Sequence, residues 1–508
     1  MVVVNDYRFF VACFVLFQEQ IQQKHEIIKG RIVMKFYTVE QILDVKQMLI
    51  RTGTGDLTLI KRAGWRSFSR AQQWFPNAKR VYILCGSGTN AGVGFIFAQL
   101  AHLAGLEVHV GMTVMPNQLQ SESTTTALAE LVALGIMPKP YNVRLCSDAD
   151  YIVDAIFGLE DVPTVSSDLS TIMTSVNQLR KQVLALDLPS GLNANTGVVT
   201  QNAILATHTI SFLANKLGLA TAEGPEHAGN VYLESLGVDT EQLFSVYEPV
   251  TDIAAEQVDF KIRYLRRRRD IVGQVLIVGG NEGMLSSIIW ASRAATIAGA
   301  DFVRVITREK HAPFLNMRCP ELMAYSDQNV EDLAARSSVV LIGPGLRRDS
   351  WTKDLWQQVV FAQKPLVVDS GALRLLATNP LHADNWVLVA NHSEAAELLG
   401  VTISEVESDR VAAITSLQET YGGVIVLKGF NILVFDGEEV RMGDDVEMIT
   451  GMSEILSGMI ASFIAQGGYS LAEAAIQGVS QFVGQSGDIL DYVQSTLRPH
   501  KQVMRRAA

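Results

Sequence analysis

The chain has 508 residues, 48% of them hydrophobic and 19% charged, which predicts a globular protein of two or three domains. The formal net charge of -11 argues against a general binder of nucleic acids or of anionic membranes. Four widely spaced cysteines without a C-x-x-C pair argue against a zinc site or a disulfide framework, and they favour a cytoplasmic location.

Residues 1–33 are predicted to be an N-terminal extension that is not part of the fold. The apolar run from Phe9 to Phe17 is too short to span a bilayer. A signal peptide would need small residues at a cleavage site, and Gln18-Glu-Gln20 follows instead. We therefore favour an over-extended start, with Met34 as the more natural one, over a weak targeting signal.

The next part of the chain alternates between helices and strands. A helical pattern covers residues 38–75, where apolar residues recur every three or four positions. Short apolar runs then predict strands, and the segments between them predict helices. The predicted strands cover 80–85, 107–110, 151–154, 183–186 and 208–212, and the predicted helices cover 95–104, 124–134 and 169–181. This order predicts a doubly wound parallel sheet, which is a Rossmann-like α/β domain.

A second alternation begins after a break over residues 236–269, which ends in the arginine run 266–269. We interpret that run as a solvated linker at a domain boundary, with some phosphate contact as the alternative. The strands predicted after it cover 274–280, 302–306, 339–342, 365–369, 387–389, 424–427 and 432–435, and the helices cover 287–298, 454–465 and 471–483. We therefore expect one α/β domain over 34–250 and another over 251–508.

Asp187 is the first candidate for chemistry, because it ends the strand over 183–186 and Pro189 and Gly191 then force a turn. Ligands bind at the carboxyl ends of strands in open parallel sheets, so this carboxylate could handle protons or a cation. Taken alone, the stretch favours the alternative that Asp187 merely caps the turn. Asp154 ends another strand, and with Asn90 and Ser190 it adds oxygen ligands that suit a hard cation.

Glycines and polar residues at other strand ends give weaker signals. Gly86 to Gly94 form a glycine-rich segment before a helix, where backbone N–H groups can bind phosphate or carbonyl oxygens. Lys428-Gly429 follows a strand, and Ser453-Glu454 opens a helix where an anion hole could form. Ordinary turn chemistry is the alternative at each of these positions, and singly it is favoured.

Several short motifs occur one after another along the chain. They are Cys85 to Gly94, Val153-Asp-Ala-Ile-Phe-Gly158, Leu186-Asp-Leu-Pro-Ser-Gly-Leu192, Leu276-Ile-Val-Gly-Gly280, Arg318-Cys-Pro-Glu-Leu-Met323, Ile342-Gly-Pro-Gly-Leu346, Ser393-Glu-Ala-Ala-Glu-Leu-Leu-Gly400, Glu407-Ser-Asp-Arg410, Tyr421-Gly-Gly-Val-Ile-Val-Leu-Lys-Gly429 and Leu456-Ser-Gly458. Together they resemble the bifunctional NAD(P)H-hydrate repair enzymes, in which an epimerase domain is fused to an ADP-dependent dehydratase domain. The resemblance extends from about Met34 to the C-terminus.

The resemblance implies two reactions on reduced nicotinamide rings that have added water at C6. The first domain would interconvert the two C6 epimers, with Asp187 as its catalytic acid. Asn90, Asp154 and Ser190 match the ligands of a potassium ion, K+. The residues that match the substrate-binding loops are Thr89, Asn90, Ala91, Gly92, Val93, Gly158, Leu159 and Glu160.

The second domain would have a ribokinase-like fold and remove the water, with ADP as co-substrate and Mg²⁺ as a further candidate cofactor. Glu454 matches the catalytic acid, and Gly345 and Asn391 match substrate-binding positions. The positions that match the nucleotide site are Lys428, Gly429, Phe430, Asn431, Ile432 and Ser453. The implied ligands are the hydrates NADHX and NADPHX together with ADP. Neither nucleic acid nor a membrane is implied as a partner, and a homo-oligomer stays open.

The chain departs from the family pattern most in the second domain. Val93 replaces an acid in the first domain, and Leu159 replaces a threonine. In the second domain, Ser453 replaces a glycine of the anion hole, and Glu454 replaces an aspartate. Asn391 stands where the family has histidine. A displacement of ~1 Å at a catalytic group can cost about a hundredfold in rate.

We therefore expect an active epimerase and slow or absent dehydratase turnover. The alternative is a pseudoenzyme that binds a nucleotide or a partner without turnover. A small-molecule kinase is the third and weakest hypothesis, because such kinases also need the glycine-rich anion hole and its aspartate.

Overall fold

The computed structural model describes residues 27–28, 31–32, 34–159, 165–253, 273–445 and 451–483. Within these ranges, no helix is long and apolar enough to cross a membrane. The apolar run at 9–17, the arginine run at 266–269 and Glu160 all lie outside the described residues.

Strands and helices alternate along most of the described chain. The strands are β1 (Ile27–Ile28), β2 (Arg31–Ile32), β3 (Lys35–Tyr37), β4 (Arg80–Cys85), β5 (Glu107–Met112), β6 (Lys139–Pro140), β7 (Tyr151–Ala155), β8 (Gln182–Leu186), β9 (His208–Phe212), β10 (Asn215–Lys216), β11 (Asn230–Glu234), β12 (Val250–Asp252), β13 (Gln274–Val278), β14 (Phe302–Ile306), β15 (Met323–Tyr325), β16 (Val339–Ile342), β17 (Leu366–Asp369), β18 (Trp386–Ala390), β19 (Val424–Leu427), β20 (Asn431–Phe435) and β21 (Val440–Asp445). The α-helices are α1 (Val39–Arg51), α2 (Asp56–Trp74), α3 (Thr89–Leu103), α4 (Glu122–Ala133), α5 (Val143–Asp148), α6 (Ser167–Gln178), α7 (Gly224–Ala228), α8 (Thr240–Phe244), α9 (Leu285–Ile297), α10 (Ala312–Arg318), α11 (Val330–Arg336), α12 (Ser350–Val360), α13 (Gly371–Thr378), α14 (His392–Leu399), α15 (Ile403–Ser408), α16 (Arg410–Tyr421), α17 (Met452–Gln466) and α18 (Leu471–Val483).

The first half is built on a seven-stranded sheet with the order β11-β9-β8-β7-β4-β5-β6. Its strand pairs are all parallel. Helices α1 to α4 pack into the apolar cluster on one face, and α5 and α6 pack into the cluster on the other. The prediction of a doubly wound parallel sheet is thus confirmed.

The second half is built on a twelve-stranded sheet with the order β10-β3-β12-β21-β20-β19-β18-β17-β16-β13-β14-β15. The strands from β19 to β15 in this order are parallel, and β20 and β21 continue antiparallel. Helices α9, α17 and α18 cover one face, and α11 to α14 with α16 cover the other. This is the α/β class that was predicted for the second half.

The large sheet also joins the two halves of the chain. Strands β10 and β3 come from the first half, and β12 connects them to β21 of the second half. Met34 adds a backbone hydrogen bond, because its carbonyl accepts from the Asp252 N–H at 3.2 Å. These strands are two or three residues long, so they carry no periodic pattern that could have predicted them.

The glycine-rich segment from Gly86 to Gly94 was predicted to be a loop that precedes a helix. Helix α3 already begins at Thr89, so that prediction is wrong from there on. Position 94 lies within this helix and requires glycine, because a Cβ there would lie 2.7 Å from the Ala155 Cβ. Gly86, before the helix, is equally constrained, since its Cβ would lie 2.1 Å from the Ile156 carbonyl oxygen. These glycines allow close packing of helix on sheet rather than a long flexible loop.

Candidate active sites

Asp187 lies directly after β8 and adopts a backbone φ of +72°. Such a conformation is rare outside glycine and is typically maintained only where the surrounding structure fixes it. The Asp187 N–H donates to the Ile210 carbonyl at 2.8 Å, and its Oδ1 accepts from the Phe212 N–H at 3.1 Å. Strand β9 therefore holds both the backbone and one carboxylate oxygen of Asp187.

Lys216 forms an ion pair with Asp187 and was not predicted as a site residue. Its ammonium is fully buried and donates to Asp187 Oδ1, to Ser211 Oγ at 3.1 Å and to the Phe212 carbonyl at 2.9 Å. Burial lowers the pKa of Lys216, and the Asp187 carboxylate opposes that change. A lysine in the apolar stretch Phe212 to Leu219 was the available signal, because exposed lysines rarely have such neighbours.

A pocket lies beside this pair, and Asp187 forms part of its wall. Predicted substrate-binding residues that line it are Thr89, Asn90, Val93, Gly158 and Leu159. Ala91 and Gly92 belong to the first turns of α3 and are buried, so they face neighbouring helices instead. An ion pair of Lys46 and Asp56, 3.0 Å apart, also lines the pocket.

The three predicted potassium ligands lie close together behind the pocket. Ser190 Oγ donates to Asp154 Oδ1 at 2.6 Å, and the Ser190 N–H donates to Asp154 Oδ2 at 2.8 Å. Asn90 Nδ2 donates to the Phe157 and Leu186 carbonyls, at 2.7 and 2.9 Å. Burial raises the pKa of Asp154 to about 6, against the hydrogen bonds from Ser190.

The donor types suit a monovalent cation, since the carboxylate, amide and hydroxyl group of these residues can all supply oxygen ligands. The amide of Asn90 would then have to turn so that its oxygen faces those carbonyls, an orientation that is always assigned from the hydrogen-bond network. Among the described residues, no group of three His, Cys, Asp or Glu side chains is arranged to hold a metal ion.

The second candidate centre lies at the carboxyl ends of β16 to β19. Gly345 follows β16 with a φ of +65°, and a Cβ there would lie 2.9 Å from the Met284 carbonyl oxygen and 3.1 Å from the Ser287 Cβ. Ser287 also hydrogen-bonds the side chain of Glu454 at the start of α17. Burial, reinforced by the Asp369 carboxylate, raises the pKa of Glu454. Gly345 and Glu454 therefore share one site, with Ser287 between them.

Lys428 is the centre of a buried polar network in this site. Its Nζ donates to Asp369 Oδ1 at 3.1 Å and to Ser453 Oγ, and it lies 3.7 Å from Glu394 Oε2. Ser457 Oγ donates to Asp369 Oδ2 at 2.8 Å. Burial lowers the pKa of Lys428, but the carboxylates of Asp369 and Glu394 outweigh it, so the pKa is raised. Two acids thus neutralise this lysine before any ligand binds.

The remaining predicted residues surround this network. Phe430 lies between β19 and β20, and Asn431 and Ile432 begin β20. Asn391 caps α14: its Oδ1 accepts from the Glu394 N–H at 2.9 Å, and its own N–H donates to Glu394 Oε2 at 2.9 Å. The Asn391 side chain is therefore already used as a helix cap.

Arg410, at the start of α16, was noted in the sequence analysis only as part of a family motif. Its guanidinium donates to the Asn431 carbonyl in the second half and to Thr221 Oγ1, at 3.2 Å, in the first half. Its side chain is 5% exposed. A charge after Glu407-Ser-Asp would ordinarily be solvated, so no pattern in the sequence indicates that Arg410 is buried.

Models of two protein families match the two halves of the chain. The model described as YjeF-related protein N-terminus matches residues 56–218, and the model described as NAD(P)H-hydrate dehydratase matches residues 275–500. Among solved structures, an ADP/ATP-dependent NAD(P)H-hydrate dehydratase from Bacillus subtilis aligns with a TM-score of 0.42 and 18% identity, covering 50% of this chain and 95% of that one.

Curated relatives match almost the whole chain. The bifunctional NAD(P)H-hydrate repair enzyme Nnr of Coxiella burnetii is 33% identical over 485 residues, which covers 92% of this chain and 99% of the relative. The enzyme of the same name from Escherichia coli is 35% identical over 423 residues, covering 80% of each chain. The chain therefore belongs to the family of bifunctional NAD(P)H-hydrate repair enzymes.

Proposed function

We propose that the protein repairs hydrated NADH and NADPH, with an NAD(P)H-hydrate epimerase in its first half and an ADP-dependent NAD(P)H-hydrate dehydratase in its second half. The observation that carries the epimerase is the carboxylate of Asp187 in the wall of a pocket, paired with the buried Lys216. We assign the activities to residues 34–250 and 251–508, with 1–33 as an extension and the cytoplasm as the site of action. The pseudoenzyme hypothesis has no specific observation in its favour.

Asp187 is the proton-transfer group of the epimerase. Inversion at C6 can proceed by opening and closing the ring: the carboxylate takes the proton of the C6 hydroxyl group as the bond from C6 to the ring nitrogen breaks, and it gives that proton to the nitrogen. The reverse transfer closes the ring on the other face. Lys216 and the Phe212 N–H both bind Oδ1, which leaves Oδ2 for the hydrated ring. The buried ammonium of Lys216 thereby holds the carboxylate in one orientation.

The pocket residues would position the ring. We assign substrate contacts to Thr89, Asn90, Val93, Gly158 and Leu159, and we keep Glu160 as a candidate from the family pattern. Ala91 and Gly92 can contribute through the backbone of α3 alone, because their side-chain positions are buried.

Potassium would bind through Asn90, Asp154 and Ser190. A bound cation would supply the positive charge that the buried Asp154 carboxylate otherwise lacks. It would also fix the turn after Asp187, because Ser190 hydrogen-bonds Asp154 through both its backbone and its hydroxyl group.

The dehydratase half would bind the ADP phosphates at the loop from Lys428 to Ile432 and at the start of α17 near Ser453. Glu454 would exchange the proton with the hydrate, beside Gly345 and Asn391. Ser453 places a side chain where the family has an anion-hole glycine, and its hydroxyl group donates to Asp369. We therefore propose that dehydration is slow compared with epimerisation, because this side chain obstructs the approach of phosphate to the backbone N–H donors at the start of α17, and such donors are each worth ~3 kcal/mol.

The test uses the mixture of C6 epimers of hydrated NADH. NADH absorbance is followed after the full-length protein is added, in parallel samples with and without ADP. An independent dehydratase is then added to each sample. We expect slow recovery by the protein alone and consumption of both epimers once the helper is present. Fast ADP-dependent recovery by the protein alone would refute the proposed slow dehydration. Persistence of one epimer in the presence of the helper would refute the epimerase.

A further inference from the structure

Arg410 is a buried cation whose direct partners are both neutral. Its Nη2 donates to the Asn431 carbonyl, and its Nη1 donates to Thr221 Oγ1. Burial lowers the pKa of Arg410 to about 10, and Glu407 offsets only part of that effect. Among the side chains that the structure describes, no carboxylate lies within ion-pair distance of this guanidinium. Burying an arginine without a counter-charge is costly, so its position needs an explanation.

Arg410 lies directly against the loop from Lys428 to Ile432, which we call the phosphate loop. A Cβ on Gly429 would lie 2.9 Å from Arg410 Nη2 and 2.5 Å from His392 Nε2, so both side chains pack against that glycine. Three buried polar atoms here make no hydrogen bond within the described part of the chain: Arg410 Nε, His392 Nε2 and Asn431 Oδ1. Unsatisfied polar atoms rarely cluster without a functional reason.

The other cation of the loop is already neutralised. Lys428 is bound by Asp369 and lies 3.7 Å from Glu394, so little of its charge is left for a ligand. The anion hole has also lost a glycine at Ser453. A nucleotide that carries several negative charges would therefore need a further positive group behind the loop.

We propose that Arg410 supplies the counter-charge for the phosphates of the bound nucleotide and holds the phosphate loop from behind, through Asn431. This inference rests on the proposed ADP-dependent dehydratase and names the residue on which its nucleotide affinity depends. Arg410 is a positioning residue, because it acts through the loop backbone and through its charge. Its bond to Thr221 anchors the same guanidinium to the first half of the chain.

The experiment is calorimetric titration of the full-length protein with ADP, AMP and adenosine. We expect Arg410→Met to weaken ADP binding ~10- to 100-fold, because hydrogen bonds and charge pairs of this kind are worth about 1.5–3 kcal/mol. Adenosine has no phosphate, so its affinity should not change. Arg410→Lys keeps the charge and should lose less ADP affinity than Arg410→Met.

Thr221→Val is the matched control, because it removes the other hydrogen bond of the guanidinium and leaves the loop contact intact. It should bind ADP like the unmodified protein. Equal ADP affinity in Arg410→Met, or an equal loss with Thr221→Val, would overturn the role of Arg410 and leave the dehydratase proposal standing. If the unmodified protein binds no ADP, both proposals fail together. If Arg410→Met does not fold, Arg410→Lys decides: ADP affinity reduced without a change for adenosine supports the proposal, and unchanged ADP affinity contradicts it.

Discussion

Replacing Lys216 with methionine should damage the epimerase far more than the loss of one hydrogen bond would. The ammonium is fully buried and pairs with Asp187, which is 8% exposed. Breaking a buried pair by removing one partner costs about 3–5 kcal/mol of folding stability, because the remaining charge is left without compensation. At an effective dielectric constant of 20, two opposite unit charges 4 Å apart attract each other by about 4 kcal/mol.

Lys216 also fixes the position of the reacting carboxylate, because its ammonium donates to Asp187 Oδ1. Without that contact the carboxylate can move relative to the hydrated ring, and a displacement of ~1 Å at a catalytic group can cost about a hundredfold in rate. The epimerisation rate at neutral pH should therefore fall by about 100-fold in Lys216→Met.

The assay is epimerisation at neutral pH, coupled to an excess of an independent dehydratase. Ser211→Ala is the matched control, since it removes a hydrogen bond of 3.1 Å from the same ammonium and leaves the pair with Asp187 intact. Its epimerisation rate should stay close to that of the unmodified protein. An unchanged rate in a folded Lys216→Met variant would refute the reasoning and leave Lys216 with a structural role alone.

Three further predictions concern the cation, the second centre and the N-terminus. Burial raises the pKa of Asp154 from 3.8 to about 6. The folded state therefore binds this proton more tightly, and a stabilisation of roughly 3 kcal/mol, present below pH 4, is lost as the pH rises through 6. In sodium buffer the melting temperature should fall over that window, potassium should reduce the fall, and Asp154→Asn should abolish it; an identical fall in both salts would argue against the potassium site. Ser453→Gly combined with Glu454→Asp should raise the ADP-dependent dehydration rate by about 100-fold, because it removes the side chain beside the backbone N–H donors at the start of α17 and restores the length of the acid. No gain in NADH recovery by this double variant, provided that it binds ADP, would show that these two substitutions are not what slows dehydration. Deleting residues 1–33 should leave the melting temperature nearly unchanged, and a large fall would show that the segment packs into the fold.

The sequence was most informative where apolar runs were long. Strands β16 and β19 and helix α18 have the predicted boundaries, because continuous apolar runs and a 3.6-residue period admit few alternatives. The strands that join the two halves were not predicted. Strands β3 and β10 are too short for any period, and their pairing is decided by the packing of distant segments.

The candidate sites show the same limits. The position of Asp187 at a strand end was readable because parallel strands bring their carboxyl ends to one edge. Its partner Lys216 is 29 positions further along the chain, and its burial depends on the pairing of β9 with β8 and of β10 with β3. Asn391 matches a substrate-binding position of the family pattern, and its Oδ1 also caps α14.

The most direct test of the central claim starts from one purified C6 epimer of hydrated NADH. The protein is added without ADP, and chromatography follows the appearance of the other epimer. We expect the unmodified protein to produce the equilibrium mixture and Asp187→Asn to leave the starting epimer unchanged, because an amide cannot exchange the proton. Epimerisation by Asp187→Asn at the rate of the unmodified protein would contradict the assignment of Asp187 as the catalytic residue.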